Sequence, residues 1–96
     1  MTIPRLARIE RMILNRLTHG DEFALRLADR SGGSLKRGTV YITLQRMESK
    51  GYVESKLESP VVGAMGRPRR WYRTSSYGRQ VLNAWRLAEN AMDVGQ

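Results

Sequence analysis

Apolar residues recur every three or four positions near the start of the chain, which is the spacing of an amphipathic helix. The first helix is predicted over Ile3–Leu17, and its apolar stripe consists of Leu6, Ile9, Ile13 and Leu17. A shorter helix is predicted to follow Gly20, with Asp21 as its cap and Glu22 as a charge in its first turn. The inward positions of this second helix are predicted to be Phe23, Leu27 and Ala28.

A strand stub is predicted at residues 34–36, and a third helix is predicted from about Arg37 to Lys50, where Gly51 ends it. Its buried stripe is predicted to be Val40, Leu44 and Met47. The opposite side carries Thr39, Ile42, Gln45, Arg46 and Ser49. Because Glu48 lies toward the flank, this outer face has no carboxylate and suits a phosphate-rich partner.

Polar and apolar residues alternate over Tyr52–Glu58, which predicts a strand with one buried face, and the chain returns as a strand over Pro68–Thr74. Ser75 or Ser76 then caps a last helix that reaches about Met92. Three helices, a hairpin and a final helix predict a winged helix-turn-helix, a mainly α fold with a small β-hairpin (α+β). Residues 1–74 are expected to form the winged unit, with 75–96 packed on it as a C-terminal helix, in one structural domain.

The net charge of the chain indicates what kind of partner this fold binds. Lysine and arginine number 17 against 9 acidic residues, a net charge of +8, and only three of the basic residues are lysine. The planar arginine fork suits phosphates and guanine edges, so nucleic acid is favoured over a merely soluble basic surface. There are no cysteines and no apolar run near the roughly 20 residues of a membrane span, so we expect a cytoplasmic protein.

Four runs of the sequence resemble the PadR family of regulators. They are Thr18–Gly20, Gly38–Tyr41, Leu44–Gly51 and Gly66–Arg73, the last leading to Gly78-Arg79. The resemblance extends from about Ile13 to Trp85 and is closest to short members with one C-terminal helix. It implies a homodimeric winged-helix repressor of a pseudo-palindromic promoter, often released by a small molecule. The chain departs from the family pattern at Arg37 and Ile42, where proline is usual, and at Thr74, where leucine is usual.

The predicted DNA contacts fall on the third helix and the hairpin. A helix of this kind lies in the major groove, where glutamine pairs well with adenine and arginine with guanine. The resemblance implies a phosphate contact for Tyr41. The full predicted set is Lys36, Arg37, Thr39, Tyr41, Gln45, Arg46, Arg67, Arg69 and Arg70.

The last helix is predicted to mediate dimerisation, since its apolar stripe is spaced like a coiled-coil seam. The predicted subunit contact consists of Leu6, Ile9, Ile13, Val81, Trp85, Ala88 and Met92. Trp85 is first interpreted as an apolar anchor in this seam. The alternative is that paired tryptophans hold a small, flat aromatic effector.

Two other functions stay open from the sequence. One is an RNA-binding or ribosome-associated winged helix, and the other is a module that binds a partner protein or a hydrophobic ligand. No enzyme is expected, because no serine lies in a nucleophile motif and no glycine-rich loop leads from a strand into a helix. No metal or cofactor is expected either, since His19 is the lone histidine and has no cysteine or spaced carboxylates beside it.

Overall fold

Helices and short strands alternate along the part of the chain that the structure describes. The computed structural model covers residues 4–58 and 68–94, with side chains up to position 90 in the last helix. In chain order the elements are α1 (Arg8–Leu17), β1 (Glu22–Phe23), α2 (Ala24–Arg30), α3 (Arg37–Ser49), β2 (Val53–Leu57), β3 (Arg70–Thr74) and α4 (Ser76–Val94). This mixture of helices with a small antiparallel sheet confirms the predicted α+β winged-helix class.

The hydrophobic core lies where the helices meet, at the periodic positions of the sequence. Its most deeply buried members, each at most 2% exposed, are Ile13, Leu14, Val40, Leu44, Met47, Val53 and Leu82. Burying such a side chain stabilises the fold by about 1.5–3 kcal/mol. The stripe predicted for the third helix is therefore confirmed.

A buried carboxylate joins the first and third helices. Glu10 accepts the backbone N–H of Ala7 through Oε1 at 2.9 Å and the ammonium of Lys50 through Oε2, also at 2.9 Å. The Glu10 side chain is 7% exposed, so this ion pair is shielded from water on the acidic side. Because Lys50 directly follows α3, the contact fixes the end of that helix against the start of α1.

The predicted start of the second helix is wrong, because two residues before it join the sheet. Glu22 and Phe23 pair with Tyr72 and Trp71 of β3, and the helix begins only at Ala24. Phe23 is the residue at the helix cap, so Asp21 is not. Glu22 is buried and receives Arg30 at 3.1 Å, which is a different role from a surface charge in a first turn.

The predicted strand stub at 34–36 is also wrong. These residues form a loop in which the hydroxyl of Ser31 accepts the backbone N–H of Leu35 at 2.9 Å. Leu35 is buried under that loop and explains the apolar position in the sequence. The first helix likewise starts at Arg8, later than Ile3, and Leu6 is buried in the segment before it.

The sheet has the strand order β1-β3-β2, with all pairs antiparallel. One face carries Val53, Ser55 and Tyr72 toward the core and α3, while the other carries Lys56 and Trp71. Burial raises the pKa of Tyr72, and the nearby carboxylate of Glu48 raises it further, so its phenol stays neutral at physiological pH. The alternation of β2 places Leu57 on the same side as Val53 and Ser55, but Leu57 is 51% exposed, so the buried face does not extend to the end of the strand.

A network of backbone contacts fixes the start of α4. Ser75 caps this helix by accepting the backbone N–H of Gly78 at 2.9 Å, and its own hydroxyl donates to the carbonyl of Gly51. The backbone N–H of Ser75 donates to the carbonyl of Tyr52 at 3.0 Å. The predicted cap is confirmed at Ser75, and the end of α3 is thereby joined to the start of α4.

The molecule is elongated, and its C-terminal helix α4 packs against α1. Val81 and Leu82 belong to the same core cluster as the residues of α1 and α3, whereas Leu87 is 69% exposed. The radius of gyration is 15.2 Å, above the roughly 12–13 Å of a compact domain of this length. Trp85, Arg86 and Glu89 contact Pro4, Asn15 and Arg11, so α4 packs along α1 as far as Glu89.

Candidate nucleic-acid interface

The outer face of α3 is directly opposite its buried stripe. Val40, Leu44 and Met47 have no exposed surface, so the helix is held against the core along its whole length. Ile42, Gln45 and Arg46 all lie on the exposed side, and Thr39 is half-buried at its edge. The structure thus brings three of the predicted base-contacting residues, Thr39, Gln45 and Arg46, onto one surface.

The acidic group of this helix is turned away from that surface. Glu48 accepts a hydrogen bond from the hydroxyl of Ser55 on β2, at the flank of α3 that faces the sheet. Tyr41 lies on the same flank and is 50% exposed. Within the described residues, the outward face of α3 therefore carries no carboxylate.

Cations flank the start of α3. Lys36 is exposed at the helix cap, where no side chain closes the first turn. Arg37 follows it and lies 3.7 Å from Asp29, with both side chains more than half exposed. An ion pair of this kind contributes at most about 1 kcal/mol and is screened by salt, so a phosphate can displace Asp29. The N-terminus of a helix also attracts anions through its free backbone N–H groups.

The two described hairpin arginines of the predicted set, Arg69 and Arg70, lie on opposite faces. Arg70 donates to the hydroxyl of Ser55 at 3.1 Å and so lies on the side of α3. Arg69 lies over the ring of Phe23, 4.7 Å from its centroid, on the other side with Trp71. We refer to the hairpin side that carries Ser55 and Arg70 as the α3 side of the wing. Arg67 lies outside the described residues.

The surroundings of Arg69 are unfavourable for phosphates. An open cleft of about 520 Å³ on that part of the hairpin is lined by Asp21, Glu54 and Glu58, beside Trp71 and Arg73. Arg73 is itself paired with Glu54 at 2.9 Å. The sequence-based set placed Arg69 and Arg70 together because they are adjacent in the chain. Side chains alternate between the two faces of a strand, so this spacing alone already puts the two arginines on opposite faces.

The residues predicted for a subunit contact divide into two groups. Leu6, Ile13 and Val81 are 5%, 1% and 3% exposed in the single chain, because its own core covers them. They leave almost no surface for a second subunit in the single chain, and their part in a subunit contact stays a prediction. Ile9, Trp85 and Ala88 are half-buried and retain free surface, while the side chain of Met92 lies outside the described residues.

Trp85 is held by groups of its own chain. Its indole N–H donates to the carbonyl of Pro4 at 2.7 Å, and the guanidinium of Arg11 lies 5.5 Å from the ring centroid. The ring borders an open cleft of about 330 Å³ between α1 and α4. The cleft is lined by Arg8, Arg11, Met12, Asn15, Leu82, Trp85, Arg86 and Glu89.

Two features of α3 were not assigned a role from the sequence. Ile42 is a large apolar side chain at the centre of the exposed face. Gly38 has an ordinary helical φ, and a Cβ there would meet no atom within 4 Å. The packing of the described chain requires neither an isoleucine at position 42 nor a glycine at position 38. The periodicity of the sequence alone does not show this.

Comparison with known proteins places this chain in a family. The profile of the transcriptional regulator PadR-like family matches residues 11–84. The chain therefore belongs to that family of non-enzymatic, DNA-binding transcriptional regulators, as its sequence motifs predicted.

Solved structures agree with this assignment. A PadR family transcription regulator from Clostridium difficile is 26% identical, with a TM-score of 0.70, covering 91% of this chain and 96% of that one. A PadR family regulator from Eggerthella lenta is 23% identical, with a TM-score of 0.71 and coverages of 88% and 74%. No curated protein sequence matches the chain significantly.

One similar structure contains DNA. It is Bacillus subtilis PadR in complex with operator DNA, 18% identical to this chain, with a TM-score of 0.73. The match covers 82% of this chain and 46% of that one, and at this identity it shows the shared fold.

Within the described part of the chain, no helix has the length and apolarity needed to cross a bilayer. The acidic residues and the histidine of that part form no group of three that could hold a metal ion.

Proposed function

We propose that this PadR-family regulator is a homodimer that inserts α3 into the major groove of duplex DNA and represses transcription at an inverted-repeat operator in the cytoplasm. Base edges would be contacted by Thr39, Gln45 and Arg46. Phosphates would be bound by Lys36, Arg37, Tyr41 and Arg70, together with Arg67 in the hairpin. Arg69 is the weakest member of the sequence-based set, because it lies on the other side of the wing.

One observation carries this proposal. The outward surface of α3 and the α3 side of the wing lie next to each other, linked through Ser55, and apart from Ile42 and Leu57 the exposed described residues on both are polar or cationic. The carboxylate of Glu48 is engaged at the junction, where it does not face outward. A duplex presents alternating base edges and phosphates, so a helix with a cationic flap beside it matches both at once.

Dimerisation is proposed through the later part of α4. One side of this 19-residue helix packs on α1, and Leu87 on its other side is 69% exposed. A second subunit would cover Leu87 together with Ala88 and the free surfaces of Ile9 and Trp85. The small side chain of Ala88 would let two helices approach closely. Two copies of α3 about 34 Å apart would then enter successive major grooves on one side of the DNA.

Trp85 is proposed first as an anchor of this contact, because its hydrogen bond to Pro4 fixes its orientation. Binding of a flat aromatic effector beside it is the alternative, and the arginine-lined cleft between α1 and α4 favours an anionic one. Such a ligand would have to displace Arg11 from the ring. If planar aromatic acids neither quench the tryptophan emission nor release bound DNA, the alternative is rejected.

The proposed function is tested by selecting bound duplexes from a random pool at physiological salt. We expect an inverted repeat whose half-sites are centred about 10–10.5 base pairs apart. Structured RNA is added as a competitor in a parallel selection. Recovery of unrelated duplexes, or displacement of all DNA by the RNA, would instead support an RNA-binding winged helix. Failure to retain any nucleic acid would favour a protein or hydrophobic ligand as the partner.

Replacing Arg70 with alanine is expected to reduce the salt dependence of operator binding. Each phosphate contact contributes about 0.9 to the slope of log K against log salt, so a dimer that loses two contacts should lose about 1.8. The slope is measured by fluorescence anisotropy between low and physiological salt. Arg73→Ala is the matched control, since it removes the same charge from the opposite face. Equal slopes for both variants would exclude Arg70 as a phosphate ligand.

A further inference from the structure

Ile42 occupies the centre of the proposed recognition surface although it is apolar. Its side chain is 53% exposed, directly opposite the buried residues of α3. On the same face, Gln45 and Arg46 lie one helical turn further along the chain, at spacings of three and four residues. An interface built only for phosphates would have a polar side chain at this position.

The packing of the described chain gives no reason for isoleucine here. A β-branched residue forms helices less readily than leucine or alanine. One edge of Ile42 borders an open cleft between α1 and α3, where its neighbours include Ile9, Thr43 and Arg46. About half of Ile42 is exposed to solvent, so that part of the side chain is free to contact a partner that binds this face.

Gly38 supplies a second, independent indication of close approach. It precedes Ile42 by one helical turn, and its φ does not require glycine. The space beside it is open, so no neighbour in the chain excludes a Cβ. A glycine at such a point lets another molecule come close to the helix backbone. Because Gly38 has no side chain, the helix surface one turn before Ile42 is flat, which suits insertion into a groove.

Among the groups on the major-groove edges of the four base pairs, the C5-methyl of thymine is the apolar one. We propose that Ile42 reads a thymine methyl in each operator half-site, next to the bases contacted by Gln45 and Arg46. This inference rests on the proposed function and specifies one base that the operator must contain. Gln45 and Arg46 would then contact hydrogen-bond donors and acceptors of the bases, and Ile42 would contact the methyl group.

The test replaces thymine by uracil, which removes only the methyl group. Starting from the selected operator, each thymine is exchanged in turn at symmetric positions of both half-sites, and binding is measured for the intact protein. We expect one position at which binding weakens about fourfold per half-site, or about 15-fold for both, the value of one buried methyl in each. At that same position Ile42→Ala should bind thymine and uracil operators equally well.

Controls separate this inference from the function on which it rests. Ile42→Val should retain part of the discrimination, and thermal unfolding should be unchanged in both variants because the side chain is outside the core. If the operator binds but no thymine methyl matters, or if Ile42→Ala discriminates as the wild type does, Ile42 does not read thymine. If no duplex is selected at all, the proposed function itself is wrong.

Discussion

The substitution Gly78→Ala is expected to destabilise the protein by about 3 kcal/mol or more, at the upper end of what overpacking a core costs. The added Cβ would lie 2.1 Å from the carbonyl oxygen of Tyr52 and 2.9 Å from its carbonyl carbon. Both are backbone atoms, and the oxygen also accepts the N–H of Ser75. Relief of the clash would therefore require α4 to move away from the end of α3.

The destabilisation is measured by urea unfolding followed by circular dichroism. Gly38→Ala is the matched control, because the same methyl group added there meets nothing within 4 Å. Its stability should be unchanged or slightly higher, since alanine favours helix more than glycine does. A Gly78→Ala protein with wild-type stability would contradict the close packing between the start of α4 and Tyr52.

The site of this clash also relates the two proposed functional helices. Ser75 and Gly78 begin α4, and they contact Gly51 and Tyr52, which directly follow α3. The ion pair of Glu10 with Lys50 holds the same end of α3 against α1. The end of α3 is thus fixed to both α1 and α4.

The fold was largely predictable where contacts are periodic along the chain. The stripe of Val40, Leu44 and Met47 has the helical repeat, and a serine before an apolar run located the start of α4. The two-residue strand β1 was not predictable, because Glu22 and Phe23 pair with residues about 50 positions later in the sequence. Glu22 and Phe23 could equally have begun a helix, and only their pairing with β3 makes them a strand.

The candidate site shows a different limit of sequence reasoning. Apolar residues at helical spacing show that one side of a helix is buried. They do not show whether the same chain or a second subunit buries it. Ile13 and Val81 were assigned to a subunit contact and prove to be core residues of the single chain. Conversely, Leu87 lies outside the predicted stripe and is strongly exposed. In the hairpin, a count of arginines did not distinguish Arg70 from Arg69, which strand alternation places on opposite faces.

Replacing Arg46 with alanine is expected to weaken operator binding by at least about 30-fold. A bidentate contact with guanine is worth about 1–3 kcal/mol of discrimination, and a homodimer loses it twice. Arg46 is exposed on the outward face of α3, and its guanidinium takes part in no ion pair among the described residues. Its fork is thus available to a base edge. The loss is measured by anisotropy on the selected operator and on a scrambled duplex.

Arg46→Lys distinguishes a base contact from a phosphate contact. Lysine keeps the charge but cannot present the planar fork, so a base contact would be lost while the salt slope stays that of the wild type. The variant should then prefer the operator over the scrambled duplex much less than the wild type does, and the preference that remains would come from Thr39, Gln45 and Ile42. Arg79→Ala, an exposed arginine of α4, controls for the loss of one positive charge. If Arg46→Lys keeps full preference for the operator, Arg46 binds phosphate, and sequence choice must come from Gln45, Thr39 and Ile42.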